Sequence, residues 1–308
     1  MSSFLRSNKS NESSKLKRKI NVYDCIIYLF CAGAFIVTAC PFLHVFSMSI
    51  SEPSEAARGT VWLLPRGFSL DVYLKIFRNG SLWRSFANSV FYTASGTLLS
   101  TTISAMGAYS MSKKRLAGKK IFVYYMLITM YISGGLIPSY VLINKIHLYN
   151  TIWVMIIPGM VSIWSIILVR TYFVSTIPQS LNESATIDGA NDLHILFRIY
   201  LPLAKPIMAV ISLYTAVGIW NSWYNALLYL PNKKLQPLQM FLANVLIFAS
   251  ADLKQLSAQE VVAASEGMDS ALQLKYAAIM FTSIPIICVY PFLQKYFVKG
   301  ALIGSLKE

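Results

Sequence analysis

Asn182 to Pro202, NESATIDGANDLHILFRIYLP, is the run in which charges of both signs recur at ordered spacing between two long apolar stretches. Its side chains are suited to shaping backbone rather than to catalysis. Ser180 and Glu183, three apart after Pro178, read as a capping box: hydroxyl and carboxylate each satisfy a free backbone N–H at a helix start. Glu183 then sits in the first turn, where the helix dipole favours a carboxylate. Asp188-Gly189 closes that helix after Ile187, because glycine adopts the left-handed conformation of a helix C-terminus without steric cost. A second amphipathic piece follows, with Leu193, Leu196 and Phe197 at helical spacing and Asp192 and Arg198 on either side of them. The expected product is a knob of two short helices joined by a glycine bend. Its apolar Ile187, Leu193 and Leu196 would be exposed unless a partner or a bilayer covers them. A docking element and an amphipathic helix lying on the membrane surface both satisfy these residues.

The elements around the knob are set by composition. Apolar residues make up 56% of the chain and charged residues only 13%, with a mean hydropathy of +0.54, which marks a membrane protein. On a soluble chain the net charge of +14 would suggest nucleic acid, but here Lys and Arg flank apolar runs and speak to topology, with no nucleic-acid partner. Cys25, Cys31, Cys40 and Cys288 all fall inside apolar segments and lack ligand spacing, so neither a disulfide framework nor a metal site is expected. His44, near Pro41, is expected to be packed or interfacial.

Six runs are long enough to span a bilayer: about Cys25–Ile50, Phe86–Met111, Ile121–Ile143, Thr151–Val169, Ile207–Pro231 and Tyr276–Leu293. No Asp, Glu, Lys or Arg interrupts them. With the N-terminus inside, 17 of the 27 Lys and Arg residues fall on the cytoplasmic side, including the short KKRLAGKK loop. Arg78 and Arg84 argue the other way. The expected order is a disordered basic cytoplasmic tail over 1–24, a first transmembrane helix over 25–50 and an extracytoplasmic loop over 51–85 with a short helix at Asp71–Phe77. A five-helix core follows over 86–294, containing the knob at 179–202 and an extracytoplasmic loop at 232–275, whose acidic stretch SAQEVVAASEGMDSA suits one or two short helices. The chain ends in a cytoplasmic tail at 295–308, either frayed or reaching a partner. Gly134-Gly135 and Pro138 predict close helix packing or a kink.

Glu183, Ala185, Gly189, Ile199, Leu201 and Pro202 fall on the pattern Glu-Ala-Ala, three residues, Gly, nine residues, Ile-x-Leu-Pro. The knob therefore resembles the EAA loop of ABC-transporter membrane subunits, and Asp188-Gly189-Ala190 is similar to the carbohydrate-uptake branch. Ser184 departs from the second Ala of the triplet, small residue for small residue. Asn88-Ser89, Ala108-Tyr109-Ser110, Gly118-Lys119, Trp220-Asn221 and the tail QKYFVKGALIGSLKE carry the likeness over essentially residues 20 to 308. It is strongest to the maltose-type inner-membrane subunits, and within them to Gram-positive-type importers of acidic or complex oligosaccharides.

The resemblance implies an all-α, type I ABC importer permease with six transmembrane helices and both termini cytoplasmic, in a bacterial cell membrane. It also implies a second homologous permease, two cytoplasmic ATP-binding subunits and an extracytoplasmic solute-binding protein as partners, in addition to membrane lipid. Glu183, Ser184, Ala185, Ile187, Asp188, Gly189, Ala190, Leu193, Leu196, Ile199, Leu201 and Pro202 would then dock on the ATPase.

Independently of that likeness, the sequence has no Gly-x-x-x-x-Gly-Lys-Ser/Thr loop, and the spans hold no carboxylate of the kind an ion-coupled carrier uses. Both facts move the energy source onto a partner and leave no catalytic residue or cofactor to assign. Permeation of another polar solute, or ion coupling, are the alternative readings. For the transport path, Asn88, Trp220, Asn221 and Asn225 combine amides and an aromatic face suited to sugars, while Trp223 and Tyr224 also suit an interfacial aromatic belt.

Overall fold

The computed structural model describes residues 22–114, 116–255, 272–289 and 291. Among them every regular element is helical, apart from a single bridge between Ser51 and Phe68. The basic N-terminal segment to residue 21, the whole acidic stretch at 257–271 and the C-terminal tail lie outside the described residues.

Helix α1 (Val22–Ile50) is largely apolar, with Asp24 in its first turn, and buries only Ser47, Met48 and Ser49 at its C-terminal end. That end is tied down by polar bonds: Ser47 Oγ donates to the Leu63 carbonyl at 2.7 Å, Tyr73 OH to Ser49 Oγ at 2.9 Å, and Gln273 Nε2 to the Ser51 carbonyl at 2.6 Å. His44 is packed as expected, bonded through Nδ1 to the Trp62 carbonyl at 2.7 Å and set edge-on to Tyr276. Two short helices follow, α2 (Pro53–Ala57) and α3 (Asp71–Arg78). The second is the one expected at Asp71.

Helix α4 (Gly80–Ser112) is the axis of the molecule. Its 33 residues make a rod about 50 Å long, well beyond the ~30 Å hydrocarbon core of a bilayer. Gly96, Ser100, Ser104 and Ala108 recur every four residues along it, and all four are buried. Such small side chains let neighbouring backbones come close. A Cβ on Gly96 would fall 2.7 Å from Ile219 Cδ1. Helices α7 (Ile163–Thr176) and α10 (Lys205–Trp220) pack along this seam.

Several expected spans are broken. The run Ile121–Ile143 is two helices, α5 (Lys119–Tyr131) and α6 (Leu136–Lys145), bent by 110° where Gly135 takes a φ of +84°. The kink therefore falls at the glycine pair. The run Thr151–Val169 is not one helix: a 3-10 turn at Ile152–Met155 and a non-helical stretch around Pro158-Gly159 precede α7, because proline removes a helix hydrogen bond and glycine adds backbone freedom.

The loop region holds α8 (Gln179–Ile187) and α9 (Asp192–Leu203), and α9 meets α10 at an 87° bend. The run Ile207–Pro231 breaks at Asn221-Ser222 into α10 and α11 (Trp223–Tyr229). Beyond it lies an 18-residue helix, α12 (Leu238–Gln255), while the acidic stretch expected to carry short helices lies outside the described residues. The last described helix is α13 (Leu272–Val289). Among the described residues, α1 and α13 are each long and apolar enough to cross a membrane unaided, and each of the two bent pairs passes the same test when taken together.

Candidate functional site: a helical knob anchored to the end of α4

Helix α8 begins one residue before the expected box. Pro178 holds an extended ψ of 134° as N-cap and supplies no side-chain cap. Proline's fixed φ sets the helix start at Gln179, so Ser180 lies inside the first turn and Glu183 in the second. The capping box does not form. Glu183 Oε1 instead accepts a hydrogen bond from Gln179 Nε2 at 2.8 Å.

The C-terminal end matches the expectation. Gly189 has a φ of +79°; its N–H bonds the Thr186 carbonyl at 3.1 Å, and the Ala190 N–H bonds the Ala185 carbonyl at 2.9 Å. This pair of bonds is a Schellman motif. A Cβ on Gly189 would meet no atom within 4 Å, so within the chain the glycine is required for its backbone conformation and not for lack of space. Asn191 then caps α9 by accepting the His194 N–H at 2.8 Å. The middle of α9, Leu196–Tyr200, widens into a π turn.

A polar clamp fixes the knob to the C-terminal end of α4. The Asp192 carboxylate accepts from Lys113 Nζ at 2.9 Å and from Tyr109 OH at 2.8 Å. Lys113 Nζ also donates to Asn182 Oδ1 at 2.6 Å and lies 4.4 Å from the centre of the Tyr109 ring. One ammonium thus joins α8, α9 and α4. Hydrogen bonds from Lys113 and then Tyr109 hold the Asp192 carboxyl below the usual carboxylate range, outweighing the opposing effect of partial desolvation. Beneath the clamp, Tyr200 packs edge-on between Tyr109 and Phe173, with ring centres 5.0 and 5.1 Å away.

The expected docking residues divide into two faces. Ala185 and Leu196 turn into the chain's own core, with Ile199 and Leu201 packed against that core and Ala190 beside it. Ala185 and Leu196 therefore do not present contact surface; they support the knob from below, in a core shared with Tyr109 of α4 and Phe173 of α7. Glu183, Ser184, Asp188, Gly189 and Pro202 are exposed. So are Ile187 and Leu193, at 86% and 57%. The expected outward apolar set thus loses Leu196 and keeps the other two.

Asn88, Trp220, Asn221 and Asn225, the residues read as a transport path, each have surroundings of their own. Asn88 Nδ2 donates to the carbonyls of Lys234 and Gln236 at 2.9 and 3.2 Å. Trp220 is buried, donates through Nε1 to the Thr282 carbonyl at 3.2 Å and meets the Phe86 ring edge-on. Both are occupied in holding helices together. Asn221 ends α10 and accepts from Gln239 Nε2 at 3.1 Å. Asn225 is exposed on α11, as are Trp223 and Tyr224. The clamp residues Tyr109, Lys113, Asn182 and Asp192 have the stronger structural claim, and sequence spacing gave no sign that they meet.

Residues 100–302 match the family described as binding-protein-dependent transport system inner membrane component. Among curated relatives, the chain is 37% identical to the polygalacturonan/rhamnogalacturonan transport system permease protein YtcP of Bacillus subtilis, over 94% of this chain and 99% of that protein. It is 35% identical to Protein LplC of the same organism, over 93% and 95%. Among solved structures it resembles a chain of a bacterial ABC transporter involved in the import of the acidic polysaccharide alginate, with a TM-score of 0.80 and 32% identity, covering 91% of this chain and 98% of that one.

Proposed function

The chain belongs to the family of binding-protein-dependent transport system inner membrane components, and from that membership we propose that it is the membrane-spanning permease subunit of an ATP-driven importer of a carbohydrate, specifically an oligosaccharide. The observation that carries this reading is the near end-to-end likeness to a permease named for polysaccharide transport. The solute is delivered by an extracytoplasmic binding protein. A second permease completes the channel, and two ATPase subunits bind on the cytoplasmic side of a bacterial plasma membrane. The chain crosses the membrane six times, its bent pairs counting as crossings, and both termini are cytoplasmic.

In this arrangement the knob is the ATPase dock. Its outward Ile187 and Leu193 supply an apolar surface that excludes water on contact with a partner, and the Lys113–Asp192 clamp holds that surface in register with α4. Ile187, rather than the inward-facing Ala185, is the position for a contact probe. A cysteine at Ile187 is expected to crosslink to the ATPase subunit; crosslinking to lipid probes alone would identify α8 as an interfacial helix. Uptake of labelled oligosaccharides by a strain lacking this chain, with and without complementation, tests the transport reading. Rescue of amino-acid or metal uptake, with no glycan taken up, would assign another polar solute.

A further inference from the structure

At the opposite end of α4 from the knob lies a recess of about 520 Å³, within the range of small-molecule sites. Arg84 from the start of α4 and Lys233 and Lys234 from a 3-10 turn line it, together with Asn79, Asn244 and Phe241; among the described residues no carboxylate does. Neither ion pair among the described residues involves these three cations.

Their placement is built. The turn that carries the lysines is pinned to one face of α4: Asn88 Nδ2 donates to the Lys234 and Gln236 carbonyls, Tyr92 OH donates to the Leu235 carbonyl at 2.9 Å, and Ser89 Oγ accepts the Leu238 N–H at 2.7 Å. Arg84 stands one helical turn before Asn88, on that same face. The arrangement fixes three like charges in one concavity, which opposes folding. It also works against the charge bias that orients membrane proteins, since a rod of this length puts the recess on the outer side when the knob is inside.

We propose that this recess binds the carboxylates of an anionic oligosaccharide entering the transport path, so that the carbohydrate is a uronic-acid-type polymer. The inference rests on the reading of the chain as a carbohydrate permease. A guanidinium pairs with a carboxylate through two parallel hydrogen bonds, and ammonium groups add charge with looser geometry. The Asn79 and Asn244 amides suit sugar hydroxyls, and the Phe241 ring offers an apolar face for a pyranose. A neutral glycan has no use for three cations. The concave shape favours a chain of sugars over the broad acidic face of a protein.

The test uses the intact importer in cells lacking the native chain, with labelled oligogalacturonate, its methyl ester and a neutral malto-oligosaccharide as probes. Wild type is expected to take up the free acid at least tenfold faster than the ester, with uptake falling as salt rises. Arg84→Gln combined with Lys234→Gln is expected to lower uptake of the acid at least tenfold, and Arg84→Lys to retain most of it. All three side chains are exposed, and normal membrane levels with unchanged basal ATPase activity verify that the variants are assembled. Equal uptake of acid and ester, uptake of the neutral probe alone, or an unaffected double variant overturns the proposal and leaves carbohydrate import standing. No uptake of any glycan overturns the carbohydrate reading itself. If the double variant loses ATPase stimulation by sugar-free binding protein, the recess is a protein dock, and the proposal also falls.

Discussion

Gly189 is the one residue of the knob with a left-handed backbone, its φ being +79°, a conformation that a β-branched side chain strongly resists. Gly189→Val is expected to cost about 1–2 kcal/mol locally and to open the Schellman turn. Transport should fall to background while the protein still reaches the membrane, and co-purification of the ATPase should weaken. Gly189→Asn, which tolerates the left-handed conformation, should keep most activity if conformation alone is at stake. Loss of activity in both variants would show that a partner surface approaches the bare Cα. Normal transport by the Val variant would make the knob a mere surface helix. The Asp192 clamp gives a second outcome. Its carboxyl is depressed in the fold, so its contribution is fully present above the ordinary carboxylate value of about 3.9 and is lost as pH falls through the lower folded value. Asp192→Asn should therefore destabilise by roughly 0.2–1 kcal/mol, the worth of an exposed ion pair, with the difference from wild type constant between pH 5 and 8 and vanishing in acid. Thermal unfolding in detergent across pH measures it. The glycine was legible because its rule is local. The clamp was not, because Tyr109 and Asp192 are 83 positions apart, and the Ser180–Glu183 box was misleading because Pro178 sets the helix start.

At the scale of elements, the seam along α4 makes the sharpest prediction. Gly96→Leu would push against Ile219 and is expected to cost about 1–3 kcal/mol, the usual penalty of overpacking. Gly96→Ala is milder, since the nearest atom is the mobile end of the Ile219 side chain. The double variant Gly96→Leu with Ile219→Ala should recover much of the loss, as melting temperature in detergent would record. An unchanged melting temperature in the Leu variant would mean that α10 does not rest on Gly96. The four-residue repeat of small side chains was readable in the sequence but is masked there by the apolar residues between its members. Window hydropathy located the apolar runs and could not see their breaks, because an average over twenty residues does not register a single Gly135 or Pro158. Gly134-Gly135 did signal the bend between α5 and α6.

For the whole molecule, orientation is open to direct measurement. With Cys25, Cys31, Cys40 and Cys288 replaced, a cysteine at Ser81, exposed at the start of α4, should be labelled from outside by an impermeant thiol reagent. One at Ser184, exposed on α8, should be labelled only after permeabilisation. The reverse pattern would invert the topology and put the knob outside. The membrane class was plain from 56% apolar composition, and the general architecture followed from the likeness of the knob; the recess was invisible because it joins segments nearly 150 positions apart, as the Ser89–Leu238 bond does. The recess and the Lys113–Asp192 clamp sit at the two ends of one unbroken helix. A hydrogen-bonded rod does not compress, so displacement at one end reaches the other as rigid motion. Pivoting about the clamp by five degrees would swing the far end of a 50 Å arm by about 4 Å. The small residues of the seam then act as a bearing on which the arm turns, where larger, interlocked side chains would weld it in place.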